Sequence, residues 1–196
     1  MLSNCVNSEI RSIALLTQYK SQSLIRHVHA GWGFLHRELG EFIEVWPAQQ
    51  QDGERWYRGT VDAVYQNGDL IAATGASNVL VLAGDQLYAL DYGPLIEVHA
   101  ARQADLTIAC AHVPEGREHD DVFIGADCRV ERIEHRPPMA TAPRRSCLGA
   151  MGVFVFSARF LSEWLASAAA RAATADFARD LVPEAVPRSV ANGNHS

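Results

Sequence analysis

The apolar positions of this chain switch between two periods. Residues 13–16, Ile-Ala-Leu-Leu, form a short continuous run closed by Thr17 and Gln18, the pattern of a buried strand. Leu24, Ile25, Val28, Trp32 and Leu35 then recur at helical spacing, with Ser21 or Ser23 placed to cap the start. Residues 41–46, Glu-Phe-Ile-Glu-Val-Trp, alternate as a strand does, and Pro47 stops them. A helix is predicted over residues 60–73, with Thr60 as its N-cap. Residues 78–83, Asn-Val-Leu-Val-Leu-Ala, give the strongest strand signal: a continuous β-branched and leucine-rich run belongs where both faces are covered.

The second half continues the alternation. A helix is expected over 94–103, a strand over 106–113, shorter strands over 122–124 and 129–134, and a longer apolar strand over 150–156. Helices follow over 158–172 and from about Thr174. Strands alternating with helices predict an α/β sandwich built on a mixed, mostly parallel sheet. After Val186 the residues become polar and aperiodic, so 1–186 reads as one domain and 187–196 as a disordered tail.

Composition narrows the function classes. A chain of 196 residues buries roughly 70% of its unfolded surface, enough for a real core. No apolar run approaches the roughly 18 residues of a membrane span, and Met-Leu-Ser-Asn-Cys at the start lacks the basic and apolar segments of a signal peptide. A cytoplasmic protein without membrane partners is expected. The formal net charge of −6 gives no support for nucleic-acid binding, which usually needs a basic face. Cys5, Cys110, Cys128 and Cys147 are scattered with no CxxC pair, so reduced thiols are expected, and the histidines show no HExxH pattern.

Two places carry candidate chemistry. In an open parallel sheet, ligands sit outside the carboxyl ends of the strands. Asp85 follows the buried strand directly through Gly84, so its carboxylate stands at that edge, where it can hold Mg²⁺ against substrate phosphates. A turn or helix-cap aspartate is the competing reading. The second place is Trp56-Tyr57-Arg58-Gly59-Thr60-Val61-Asp62-Ala63: Gly59 lets backbone approach a ligand, and the following helix aims N–H groups at it. A plain loop before a capped helix would look the same.

Longer motifs separate these readings. Residues 3–8 (Ser-Asn-Cys-Val-Asn-Ser), 16–21 (Leu-Thr-Gln-Tyr-Lys-Ser) and Gly31-Trp32 match the bacterial ADP-glucose pyrophosphorylases in order and spacing. So do Pro47-Ala48-Gln49-Gln50, the Trp56 loop, Leu82-Ala83-Gly84-Asp85 with Tyr88 and Asp91-Tyr92, Met151-Gly152 with Val155-Phe156, and Asp176-Phe177 through Asp180-Leu181. The chain therefore resembles the catalytic domain of that family from about residue 2 to 186. The resemblance implies a Rossmann-like nucleotidyltransferase domain that transfers AMP from ATP to glucose 1-phosphate and releases pyrophosphate. It also implies Mg²⁺ on Asp85, nucleotide-sugar contacts at Tyr57, Gly59, Thr60 and Gly84, and an ATP-side role for Gln49, Gln50 and Trp56.

The chain departs from that family in several places. The glycine-rich GGxGxRL loop, whose N–H groups would cradle phosphates, is not found, and its strand is expected to be missing along with the C-terminal β-helix. Asp120-Asp121-Val122 stands where the family has Phe-Gly-Val, and Asp121 is expected to fill the sugar-phosphate pocket. Glu134-His135-Arg136-Pro137 replaces Val-Glu-Lys-Pro: Arg136 keeps a cation and His135 loses a carboxylate. Ala150 replaces a ligand-bonding serine. Activity is expected to be impaired in isolation. The alternative is a non-catalytic remnant or partner subunit that binds nucleotide, self-associates, or docks on a full-length homologue. Transfer to a different sugar phosphate is a third possibility.

Overall fold

The computed structural model describes residues 1–18, 21–32, 40–48, 57–113, 119–136, 148–168 and 176–191. Helix α1 (Leu2–Asn7) comes first, and the polar and apolar residues of so short a segment carry too little periodicity to announce it. Strand β1 (Ser12–Thr17), helix α2 (Ser21–Gly31) and strand β2 (Phe42–Pro47) follow at the expected places; Leu35, expected on α2, lies outside the described residues, and Pro47 ends β2 from within the strand. β1 and β2 pair in parallel from Ser12↔Phe42 to Thr17↔Pro47, with Pro47 as the last rung.

The predicted helix over 60–73 is two helices, α3 (Thr60–Gln66) and α4 (Gly68–Ala73). Asn67 breaks it: its side-chain amide donates to the Ala63 carbonyl at 2.8 Å, the kind of local competition that makes asparagine a poor helix interior residue. Strand β3 (Asn78–Leu82), helix α5 (Gly93–Ala101) and strand β4 (Leu106–His112) match the apolar pattern. Strands β5 (His119–Ile124) and β6 (Val130–Arg136) form an antiparallel hairpin, and β7 (Leu148–Ser157) runs into helix α6 (Ala158–Ala168). A π-helical turn, Phe177–Leu181, leads into helix α7 (Val182–Ala191). Helix α7 runs to Ala191, past the boundary expected at 186, and Leu181, Val182 and Val186 around its start pack on the core.

The class is mixed α/β; among the described residues β1 and β2 pair in parallel, while the pairs of the larger sheet are antiparallel where a mostly parallel sheet was expected, because β7 and the β5–β6 hairpin run back against their neighbours. The larger sheet is organised by β7, which runs against β3, β4 and β5, with β6 paired outside β5. Phe154, Val155 and Phe156 pair with Val81, Leu80 and Val79 of β3 and also with residues 106–108 of β4, so β3 and β4 lie on opposite borders of β7 and run in the same direction. Two apolar layers cover the sheet. On one side Val81, Phe154 and Phe156 pack against Val61 and Val64 of α3, Trp164 of α6 and Phe177, whose ring centroid is 5.3 Å from that of Phe156. On the other side are Cys5, Tyr92, Ala109 and Val153.

Strands β1 and β3 share both layers without sharing a ladder. Leu16 joins Val79 and Val81 on the first side, and Ile13 joins Leu80 and Leu82 on the second. Each has a single strand partner among the described residues, β2 for β1 and β7 for β3. Those facing strands keep borders that no other described strand occupies.

Candidate functional site

Asp85 stands where the sequence places it, exposed in the turn that follows β3. The turn is fixed from below. The Ala83 amide donates to the Gly152 carbonyl at 2.9 Å, and a Cβ built on Gly152 would lie 2.8 Å from the Ala83 Cβ and 3.5 Å from Gln86 Nε2. Gly152 also has φ +66°, a region that side-chain-bearing residues rarely adopt. Glycine is therefore required here on both counts, and it brings β7 close under the Ala83-Gly84-Asp85 turn.

Gly152 divides β7 into two parts. Beyond it, residues 153–157 pair with β3; before it, Gly149 pairs with Asp121 of β5. β3 and β5 therefore follow one another along the same border of β7, and the Asp85 turn lies at their junction. Ala150, paired with Cys110 of β4, is three residues from Val153, where the β3 ladder begins. Gly84 and Asp85 are exposed near that junction, whereas Asp121 is buried and, being paired with Gly149, faces the opposite side of the sheet from Ala150.

The Tyr57 loop is anchored through two buried polar residues that the sequence reading did not single out. Asp62, 5% exposed, accepts the Arg58 backbone N–H at 2.9 Å and the Gln66 amide at 3.2 Å, with the Arg58 guanidinium 3.5 Å away. Asn67, 1% exposed, donates to the Tyr57 hydroxyl at 3.0 Å. The loop is thereby tied to its own helix. Thr60 is not the N-cap as expected: Gly59 takes that place in extended backbone, and Thr60 is the first helical residue. The end that a threonine hydroxyl would have capped is instead organised by Asp62 reaching back to Arg58. Gly59 and Thr60 are exposed. Gln49, Gln50 and Trp56 lie outside the described residues.

The hairpin of β5 and β6 separates residues that the sequence groups together. Asp121 is opposite Glu134, and Asp120 is opposite His135. Directly opposed residues share a face and sequence neighbours do not, so Asp121 and His135 point to opposite faces. The Asp121 side is buried, at 4% exposure. The carboxylate that stands with His135 is that of Asp120, 2.8 Å from Nδ1. Arg179 of the π-helical turn joins them, with Nη2 2.9 Å from His135 Nδ1 and Nε 3.8 Å from Asp120. Arg136 ends β6, and only its backbone position is described.

Among the described residues no group of three or more His, Cys, Asp or Glu is placed to hold a metal ion. A single exposed carboxylate such as Asp85 still suits Mg²⁺, which commonly takes one or two protein carboxylates and completes its shell with water and substrate phosphates. No helix among the described residues is long and apolar enough to cross a membrane.

The chain is 45% identical over 191 residues to a glucose-1-phosphate adenylyltransferase of Nitrosococcus oceani, covering 93% of this chain and 44% of that protein. It is 42% identical over 194 residues to the Methylococcus capsulatus protein of the same name, covering 95% and 46%, and 44% identical over 196 residues to that of Rhodospirillum rubrum, covering 96% and 46%. The chain spans less than half the length of these relatives. The nucleotidyl transferase family matches residues 1–195, and the chain belongs to that family.

Proposed function

We propose that this chain carries the adenylyl-transfer chemistry of a glucose-1-phosphate adenylyltransferase, joining glucose 1-phosphate to the AMP part of ATP with release of pyrophosphate in glycogen synthesis. The observation that carries this reading is the exposed Asp85 turn, seated on Gly152 at the junction of β3 and β5 along β7. Reactions of this class depend on positioning and on neutralising phosphate charge. Asp85 would hold Mg²⁺, which when bound offsets the charge of the nucleotide phosphates. Gly84 leaves the backbone open to close approach, and Gly59 and Thr60 are exposed at the start of α3. Tyr57, oriented by Asn67, contributes a fixed hydroxyl to the nucleotide sugar. The reaction is a cytoplasmic one, and turnover is slower than that of a full-length relative.

The test is incubation with ATP, glucose 1-phosphate and Mg²⁺, following pyrophosphate. Turnover that vanishes in Asp85→Asn supports the reading, whereas Asp85→Asn turning over like the unaltered protein sinks it. A second reading, a non-catalytic partner of a full-length homologue, is favoured by one observation: β1 and β3 share both apolar layers but keep facing borders without a described strand. Absence of turnover, with a complex formed on mixing the two proteins, selects that alternative.

A further inference from the structure

A cleft of about 250 Å³ opens at the end of the sheet away from the Asp85 turn. Asn78 begins β3, Asp105 precedes β4 and Ser157 ends β7, and all three line it. His99 of α5, Gln103 just beyond that helix and Arg159 of α6 complete the wall. The backbone around it is fixed: the Ser157 N–H donates to the Asp105 carbonyl at 3.0 Å and the Ala158 N–H to the Ser77 carbonyl at 2.9 Å. β3 is five residues long, so roughly 16 Å of strand lies between this cleft and the Asp85 turn.

His99 is 2% exposed, with Nδ1 2.8 Å from Thr107 Oγ1, while its Nε2 has no hydrogen-bond partner among the described residues. Buried polar atoms are nearly always bonded, so an orphaned nitrogen on a cleft wall points to a partner that the protein itself does not supply. Burial holds the His99 pKa below 6.5, with the Asp105 charge partly opposing, so the ring is neutral at pH 7. Other polar groups of the wall are also uncommitted. Asp105 takes the Ser157 hydroxyl at 3.2 Å and Arg159 Nη2 at 3.4 Å on Oδ1, which leaves Oδ2 to accept. The side-chain amides of Asn78 and Gln103 bond no described residue. Gln103 stands just past the α5 C-cap at φ +47°, where glycine is the usual choice. A glutamine there bears backbone strain that glycine would relieve.

We propose that this cleft is a second binding site, for an uncharged, hydroxyl-rich molecule of monosaccharide size, with His99 Nε2, Asp105 Oδ2 and the amides of Asn78 and Gln103 as its hydrogen-bonding groups. A hydroxyl group both donates and accepts, so it satisfies Nε2 in either tautomer of the ring and matches amides that offer both functions. Charge argues against an anion: Arg159, the cation of the wall, already faces Asp105 and lies 3.2 Å from Glu163. Size argues against a nucleotide, since sites for drug-sized ligands run to roughly 300–1,000 Å³. The site stands apart from the transfer reading, because none of its residues belongs to the Asp85 turn or the Tyr57 loop.

Nuclear magnetic resonance titration of the full chain with glucose and with glycerol tests this. Saturable shifts are expected at the backbone amides of Gln103, Asp105 and Ser157 and at the His99 ring. Asp105→Asn should weaken glucose about tenfold, since a bond to a charged group is removed, and Gln103→Gly about fivefold. Gln103→Gly should also melt no lower than the parent, because it relieves the positive φ, so its weaker binding cannot come from unfolding. Arg132→Gln, on β6 and paired with Glu134, should leave glucose affinity unchanged. Parental glucose affinity in Gln103→Gly or in Asp105→Asn overturns the site. So does the absence of saturable shifts with both probes, which would leave water as the occupant of the cleft, and so do shifts confined to the Asp85 turn. Inorganic phosphate that moves the same amides and displaces glucose overturns the assignment to an uncharged ligand.

Discussion

Ala83 and Gly152 touch across the β3–β7 ladder closely enough that no side chain fits between them: the amide of the first donates to the carbonyl of the second at 2.9 Å, and an added Cβ would stand 2.8 Å from that of Ala83. Gly152→Ala meets both that collision and a φ of +66°. The expected loss is about 2–4 kcal/mol from strain and overpacking together, read as a fall in urea midpoint. Gly84→Ala, where nothing lies within 4 Å, should leave the midpoint within experimental error.

Asp62 holds the Tyr57 loop onto α3. Asp62→Ala leaves the Arg58 N–H and the Gln66 amide without their acceptor, a cost of about 1–3 kcal/mol. Hydrogen exchange at the Arg58 amide should accelerate more than at Ile108 in β4. Equal acceleration at the two sites would mean that Asp62 acts through global stability and not by pinning the loop.

His99 brings a pH dependence. It is 2% exposed, with Nδ1 2.8 Å from Thr107 Oγ1. Burial lowers its pKa below the ordinary value of 6.5, with the negative charge of Asp105 partly opposing the shift. The unfolded chain then takes up a proton at a higher pH than the folded one. This contribution is complete above pH 6.5 and declines as pH falls towards the folded-state pKa. In denaturant titrations between pH 7.5 and 5, His99→Gln should flatten the decline; an unchanged slope would remove His99 as its source.

Thiol chemistry should distinguish the described cysteines. Cys128 is exposed, whereas burial raises the Cys5 pKa and pushes Cys110 up to about 11. Thiolate is the reactive form, so at pH 8 iodoacetamide should modify Cys128 first, as mass spectrometry of timed samples would show. Cys110 labelled as fast as Cys128 contradicts the packing around β4.

Local chemistry was legible in the sequence wherever it was written in consecutive residues. The run Val79-Leu-Val-Leu82 announces β3 because burial on two faces leaves no polar position, and Asp85 follows from being next in line. The Asn67 break was not legible, since an asparagine in a helical pattern gives no sign of whether its amide will turn back to Ala63. Register was the larger obstacle. Asp120 and Asp121 are neighbours whose roles depend on which of them opposes His135, and that is fixed by hairpin pairing, to which a one-residue slip is fatal. Arg179 lies 44 residues from His135, and only the π-turn brings it back. The signal available was a basic residue inside a motif already noticed for its aspartates.

β7 carries a kinetic consequence. Strands β3 and β4 find their described partner only in residues 148–157, far downstream of both, so neither can join a ladder until most of the polypeptide has been made. Pairings this distant in sequence close slowly because the intervening loop must be ordered first. During that interval the apolar residues of β3 and β4 wait unpaired, the circumstance in which nascent chains recruit chaperones or aggregate. A polypeptide released at residue 147 would never acquire the larger sheet, and its solubility on synthesis would reveal how much of the folding problem one late strand resolves.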